Sequence, residues 1–323
     1  MQYIKIIRVI SLIGLYLISA GSNAAGYPDR AVKIIVPFGA GSFTDLAART
    51  LAMELTKELG QPVVVENKGG AGGTVGSAMV AKSRPDGYTL LVTDNSFVMS
   101  ASLYSNLSYS PLKDIVQISQ IAEAPSMMVA RPGIVKKDLK SFVAYAKQKP
   151  GEHNFGSGGI GSSAHLAAEM FLDVAGLKMV HIPFKGVAAS IREVMAERLD
   201  ISMSSLASGV KHVKAGRVLG FAVSGDKRSS LLPDVPTFKE LGFTGYTMSF
   251  FWGIGAPAGT PDDVVQRLNK AIVKASSSPK LLKIYADVGA TAVTSSSAQM
   301  GQKVKEEIDV WQKIIKKVGV RIN

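Results

Sequence analysis

The chain contains no cysteine in 323 residues, which excludes a disulfide framework, a thiolate nucleophile and any cysteine metal site. Histidine is scarce as well, with only His153, His165, His181 and His212 available for imidazole chemistry. Beyond the N-terminal segment, no apolar run reaches the ~20 residues that a spanning helix needs. Acidic residues are in deficit, 25 Asp and Glu against 37 Lys and Arg, for a formal charge of +12. That excess favours anionic small ligands or a negatively charged membrane surface. The basic residues are scattered, as at Lys136, Lys137, Lys147, Lys149, Lys316 and Lys317, which argues against a nucleic-acid interface. What is present is a 46% hydrophobic composition, too apolar for a disordered chain and sufficient for two domains of roughly 150 residues.

Residues 1–24 differ from the rest. Lys5 and Arg8 precede an apolar run at 9–19, and Ser22, Asn23 and Ala24 supply small residues before a cleavage point. This is the pattern of a signal peptide cut after Ala24, which implies a periplasmic protein; an uncleaved amphipathic anchor is the alternative. Loss of Lys5 and Arg8 lowers the formal charge by two.

The remainder reads as repeated strand, glycine loop and helix units, the grammar of an α/β fold with loops gathered at one sheet edge. AVKIIVPF at 31–38 has the β-branched density of a buried parallel strand and runs into GAGSFTD and a helical pattern at Leu46, Leu51, Leu55 and Leu59. Ser42 and Asp45 fit a capping box. Strands follow at 62–65 and 88–93, strand-like pieces at 116–121 and 127–130, and a second domain repeats the pattern up to a strand at 218–223. A segment at 248–256 crosses back. Thr260, Pro261 and Asp263 fit the N-cap, N1 and N3 positions of the next helix. Met300, Val304, Ile308, Trp311, Ile315 and Val318 form the apolar stripe of a terminal surface helix, with Trp311 a packing anchor. A chain that leaves one α/β domain, builds another and returns makes two lobes around a cleft that can hinge.

The sharpest local feature is PFGAGSFTD at 37–45. Gly39 and Gly41 let the backbone approach a ligand, and the helix start at Ser42 presents unpaired amides to an anion; a tight turn is the plainer reading of the same spacing, and Asp45 suits the cap better than catalysis. NFGSGGIGSSAH at 154–165 has the same form in the other lobe, with hydroxyls at Ser157, Ser162 and Ser163; ligand binding and ordinary capping both fit it. No G-x-S-x-G elbow supports a serine hydrolase. Glycines at 69–76 lack a P-loop ending and read as a structural turn. TDNS at 93–96 can reach the cleft mouth or close a turn. His165 and Glu169, with His181, have helical spacing for a metal but no zinc-protease signature, so packing or capping is the better reading. Lys185 can attract an anion or simply be solvated.

Taken together, VKIIVPFGAGSFTDLAAR, VVVENKGGAGGTVG, RPDGYTLLV, HNFGSGGIGSSAHLAAEMF, HIPFKG, LLPDVPTFKELG and APAGTPDDVVQRLN closely resemble the secreted solute-binding proteins of the tripartite tricarboxylate transporter class, also called the Bordetella uptake gene family. The resemblance runs from Tyr27 almost to Val320. It implies an α/β, type II periplasmic-binding-protein-like fold of two lobes joined by two crossing strands, with lobe 1 at 27–124 plus 246–323 and lobe 2 at 125–245. It also implies capture of a small organic anion, commonly a carboxylate, for delivery to membrane transporter subunits, by a monomer without cofactor, metal, catalysis or nucleic-acid partner.

In that family the ligand is held largely by backbone amides and ordered waters from facing loops. Carried onto this chain, those positions are Phe38, Gly39, Ala40, Gly41 and Ser42, joined by Thr93 and Asn95, and in the second lobe Ser157, Gly158, Ser162 and Ser163. Asp45 occupies the family's aspartate position, and Lys185 falls in its histidine, proline, aromatic, lysine, glycine motif. The chain departs from the family at Ser42 (often glycine), at Phe184 (often tyrosine), at Trp252, shifted by one position, and at Ala196 and Glu197, which replace a glycine-rich turn. Two other functions fit less well: a ligand-sensing module acting through a membrane receptor, and a hydrolase using Ser157 and His165.

Overall fold

The computed structural model describes residues 26–319; the leader expected at 1–24 lies outside them. Strand β1 (Val32–Val36) pairs in parallel with β2 (Val63–Asn67) and β3 (Thr89–Asp94). Consecutive Ile34, Ile35 and Val36 are all buried, because helices cover both faces of this sheet. Helix α1 (Phe43–Leu59) buries Ala47, Ala48, Leu51, Leu55 and Leu59 along its core face. Gly60, at φ 70°, ends it in the left-handed conformation that glycine adopts without strain. A 3-10 turn (Ala71–Gly73) leads into α2 (Thr74–Ala81), and α3 (Asn95–Leu103) begins directly where β3 ends.

The two strand-like pieces expected at 116–121 and 127–130 form one strand, β4 (Ile115–Ala130). Its first part pairs with β9 (Ser249–Pro257), up to Pro125 opposite Ser249. Its last five residues pair with β7 (Ile201–Ser205) on one side and reach β8 (Leu219–Val223) on the other. Between these strands the chain builds the second lobe through α4 (Leu139–Lys147), β5 (Asn154–Ser157), α5 (Ser163–Ala175), β6 (Val180–Pro183), α6 (Val187–Met195) and α7 (Leu206–Lys214). β5 lies parallel to β6 and β7, giving the strand order β2-β1-β3-β9-β4-β7-β5-β6.

β9 returns the chain to the first lobe, antiparallel to β3 and β4. Helices α8 (Asp262–Ser276), α9 (Pro279–Val288) and α10 (Ser297–Val318) complete it. Pro261, not Thr260, is the N-cap of α8; the Thr260 hydroxyl instead donates back to the Pro257 carbonyl at 2.7 Å. On α10, Met300, Val304, Trp311 and Ile315 are buried and Ile308 is half-buried; the side chain of Val318 lies outside the description. This face packs on α3 and β4 and also touches α5 of the second lobe. One apolar cluster runs through both lobes, and a smaller one joins Met127 and Val129 of β4 to Ile191 and Val194 of α6.

Four strands, β1, β3, β5 and β7, each lead into a helix: α1, α3, α5 and α7. Their helix starts therefore gather at the carboxyl ends of the strands, two from each lobe, where an open α/β sheet places its ligand crevice.

Candidate functional site

The N-cap residues of those four helices are Ser42, Asp94, Ser162 and Ser205, and all four line one cavity of about 40 Å³ between the lobes. At roughly 10–15 Å³ for each water it can admit, this inner cavity suits a carboxylate-sized group. Phe38, Phe250, Trp252 and Val187 supply its apolar wall, and Ser96, Ser163, Ser204 and Ser208 add hydroxyls. Among the described residues Asp94 is its only ionisable lining side chain, and neither lysine nor arginine lines it. Positive potential inside the cavity thus comes from helix ends, each equivalent to about half a charge.

The residues expected from the first loop divide by position. Phe38 and Ser42 line the cavity. The Ser42 hydroxyl is buried without a hydrogen-bond partner and makes no cap on α1, so the expected capping box is absent. Asp45 instead takes the Gly41 N–H at 3.3 Å, while its other oxygen receives Arg49 Nε at 3.0 Å and Asn67 Nδ2 at 2.9 Å. Asn67 Nδ2 also donates to the Phe38 carbonyl at 3.0 Å. Burial raises the Asp45 pKa, but the bonds from Arg49, Asn67 and Gly41 outweigh it and hold the carboxyl below its ordinary value. Asp45 therefore secures the loop from behind and does not face the inner cavity. Gly39 is half-buried against the second lobe, and Ala40 and Gly41 are exposed. A Cβ on Gly39 would stand 2.7 Å from the Lys185 carbonyl oxygen, so this glycine permits the lobes to meet.

Thr93 and Asn95, both expected at the cleft, point elsewhere. The Thr93 hydroxyl donates to Gln117 at 3.2 Å in the sheet, and Asn95 receives the Phe251 N–H at 3.1 Å while donating to the Ser249 carbonyl at 3.2 Å. The side-chain alternation of β3 places Asp94 opposite to Thr93 and thus toward the cleft, with Ser96 the second residue of α3. Asp94 Oδ1 accepts the Phe97 N–H at 3.2 Å; Oδ2 lies 3.4 Å from Ser96 Oγ and 3.5 Å from Ser163 Oγ. Burial pushes its pKa up to about 6, against the opposing bonds from Phe97, Ser96 and Ser163.

In the second lobe Gly158, Ser162 and Ser163 line the cavity, and the Ser162 hydroxyl accepts the His165 N–H at 3.3 Å as a true cap. Ser157 does not reach the cavity. It is fully buried behind the loop, 2.7 Å from His181 Nε2 and 3.1 Å from the Gly159 carbonyl. The His181 ring stacks at 4.0 Å on His165, whose Nδ1 receives the Gly161 N–H at 3.2 Å. These imidazoles brace the loop 157–163 from beneath. A hydrolase built on Ser157 and His165 finds no geometry here, because Ser157 pairs with His181 and is closed to solvent. Among the described residues no three His, Asp or Glu side chains gather as a metal site.

Hydrogen bonds cross the cleft directly. The Ser163 N–H donates to Ser96 Oγ at 2.8 Å, the two hydroxyls lie 2.6 Å apart, and the Phe43 N–H donates to Ser208 Oγ at 3.2 Å. Trp252 Nε1 donates to Thr44 Oγ1 at 2.9 Å, fixing the cavity floor to α1. Outside Phe38 and Gly158, which border both spaces, an outer chamber of about 700 Å³ is lined by the glycines at 69–73, Tyr104, Ile160, Phe184 and Lys185. Gly72, at φ 63°, lies so near the second lobe that a Cβ would come within 2.5 Å of the Ile160 carbonyl. The glycine run at 69–76 is thus more than a turn: it forms the first lobe's lip. Lys185 is exposed on the wall of this outer chamber and away from the inner cavity.

Comparison with known proteins agrees with this arrangement. Residues 47–320 match the family model described as "Tripartite tricarboxylate transporter family receptor". The chain is 33% identical to Protein BugT of Bordetella pertussis over 321 residues, covering 98% of each. The solved structure of periplasmic binding protein BugD superposes with a TM-score of 0.88 at 34% identity, covering 91% of this chain and 99% of that one. MatC from Rhodopseudomonas palustris, solved with bound malate, gives 0.86 at 30% identity over 90% of this chain and 100% of its own. The fold is that of the type II periplasmic binding proteins, and BugD is itself a periplasmic binding protein. The chain belongs to the tripartite tricarboxylate transporter receptor family, also known as the Bug family.

Proposed function

We propose that this solute-binding protein captures a small carboxylate outside the cytoplasm and presents it to the membrane subunits of a tripartite tricarboxylate-type transporter. The observation that carries the reading is the convergence of four helix starts, with Ser42, Asp94, Ser162 and Ser205 at their N-cap positions, on one cavity. Each charge-assisted hydrogen bond contributes about 1.5–3 kcal/mol and each helix end about 0.3–1 kcal/mol. Three or four such contacts support micromolar affinity, about −8 kcal/mol, after ordering costs. The carboxylate head occupies the inner cavity, and the remainder of the acid extends past Phe38 and Gly158 into the outer chamber. The malate named in the MatC structure supports this ligand class.

The proposed leader at 1–24 places the protein in the periplasm, and mass measurement of the mature N-terminus tests cleavage after Ala24. Ligand capture is tested by thermal unfolding against mono-, di- and tricarboxylates. A ligand that binds only the folded form stabilises it by RT ln(1 + [L]/Kd), so a cognate acid raises the melting temperature in proportion to the logarithm of its concentration. No shift with any acid would count against the proposal.

A further inference from the structure

Asp94 is a carboxylate in a cavity that is proposed to receive a carboxylate. It is 5% exposed and, among the described residues, the only charged side chain on the inner wall. Its Oδ1 is satisfied by the Phe97 N–H at 3.2 Å. Its Oδ2 has only hydroxyls at 3.4 and 3.5 Å, beyond the usual 2.5–3.0 Å range for an O–H donor. A carboxylate oxygen accepts two hydrogen bonds, so Oδ2 has unmet accepting capacity on the cavity side. The groups now facing Asp94 are the Phe97 and Ser96 amides, which can only donate, and the hydroxyls of Ser96 and Ser163, which can donate to it. A pKa of about 6 keeps it largely ionised at pH 7.5.

A second carboxylate brought into about 40 Å³ beside this one is repelled unless a donor stands between them. We infer that the solute pairs its carboxylate with a hydrogen-bond donor, a hydroxyl or an ammonium, that seats against Asp94 Oδ2. The inference rests on the carboxylate-capture reading above and narrows it to hydroxy or amino acids. A buried acceptor left unpaired discriminates strongly against the analogue lacking the donor. Asp94 is therefore a specificity-determining residue as well as the cap of α3.

Matched acids test this by isothermal titration at pH 7.5: succinate, malate and aspartate; glutarate, 2-hydroxyglutarate and glutamate; propanoate, lactate and alanine. In the wild-type protein, the hydroxyl or the ammonium member of a series is expected to bind at least ten-fold tighter than its plain acid. Which member leads identifies the donor. Asp94→Asn keeps an effective helix cap and removes the charge, so the preference is expected to shrink to about two-fold while the plain acid binds more tightly than before. Loss of a cap alone would not shrink the preference while tightening the plain acid. Plain acids that bind the wild type as tightly as their donor-bearing partners would overturn the inference and leave carboxylate capture standing. So would a preference that survives in Asp94→Asn. Failure of every acid to bind the wild type would instead overturn carboxylate capture, and this inference with it.

Discussion

Asp45 takes the Gly41 N–H at 3.3 Å, and the neighbouring Ser42 hydroxyl is left buried with no partner. An orphaned buried hydroxyl costs about 1–3 kcal/mol. Ser42→Ala is therefore expected to leave folding stability unchanged or raise it by up to about 1 kcal/mol, while weakening ligand affinity about five- to ten-fold. Denaturant melts and ligand titration check the two halves. A loss of stability without loss of affinity would return the hydroxyl to a purely structural role.

Asp45 itself is expected to behave in the opposite way. Asp45→Ala removes the acceptor for Gly41, Arg49 and Asn67 together, which should destabilise the fold by roughly 1–3 kcal/mol and loosen the loop that carries Phe38. The lowered pKa adds a pH signature. A carboxyl depressed in the folded state stabilises above its unfolded pKa and loses that contribution as pH falls through the folded value. The difference in melting temperature between wild type and variant should therefore narrow on acidification below the ordinary Asp value.

Gly39 has an unstrained backbone, yet a Cβ there meets the Lys185 carbonyl at 2.7 Å. Gly39→Val is expected to hold the lobes apart without unfolding either one. Affinity should fall at least 100-fold, and small-angle scattering with saturating ligand should show no contraction. Unchanged affinity would mean that this contact plays no part in ligand retention.

His181 is pushed down to about 3 by burial, with further repulsion from His165. The folded protein keeps this ring neutral where the unfolded chain, with an ordinary value near 6.5, takes up a proton. Stability is accordingly lost as pH falls from about 6.5 toward 3. His181→Gln keeps a partner for Ser157 and should flatten the acid side of the melting-temperature profile. An identical slope in both proteins would refute the assignment.

Glu197 sits at φ 59°, in the left-handed region that favours glycine, at the turn after α6. That conformation costs a non-glycine residue roughly 1–2 kcal/mol. Its ion pair to Arg131 spans 3.6 Å with Glu197 half-exposed, and such pairs contribute about 0–1 kcal/mol. Glu197→Gly is thus expected to raise stability by up to about 1 kcal/mol, whereas destabilisation in a denaturant melt would show that the side chain's packing against Gly133 matters more.

The strand, loop and helix grammar was legible because β-branched runs such as VKIIV and the small residues after them report backbone geometry directly. The facing of Phe38 and Ser42 toward Gly158, Ser162 and Ser163 was legible by the same route. The inner wall was harder to read. Asp94 and Thr93 differ by one residue, and only the register of β3 against β9 decides which enters the cleft. SSLAS at 204–208 repeats the strand-to-serine-cap form of the two recognised loops, and that repeat was the available signal for Ser205 and Ser208. Ser157 looks like a ligand residue on the chain, but its fate depends on His181, 24 positions away. Long-range partners of this kind leave no local pattern. The lip at 69–73 likewise depends on how the second lobe meets it at Ile160.

The most direct measurement is a crystal structure with the tightest-binding acid. The expected result is a carboxylate in the inner cavity, within hydrogen-bond distance of groups from both the Ser42 and the Ser162–Ser163 helix starts. An acid held on Lys185 in the outer chamber, or by one lobe alone, would contradict the helix-start mechanism.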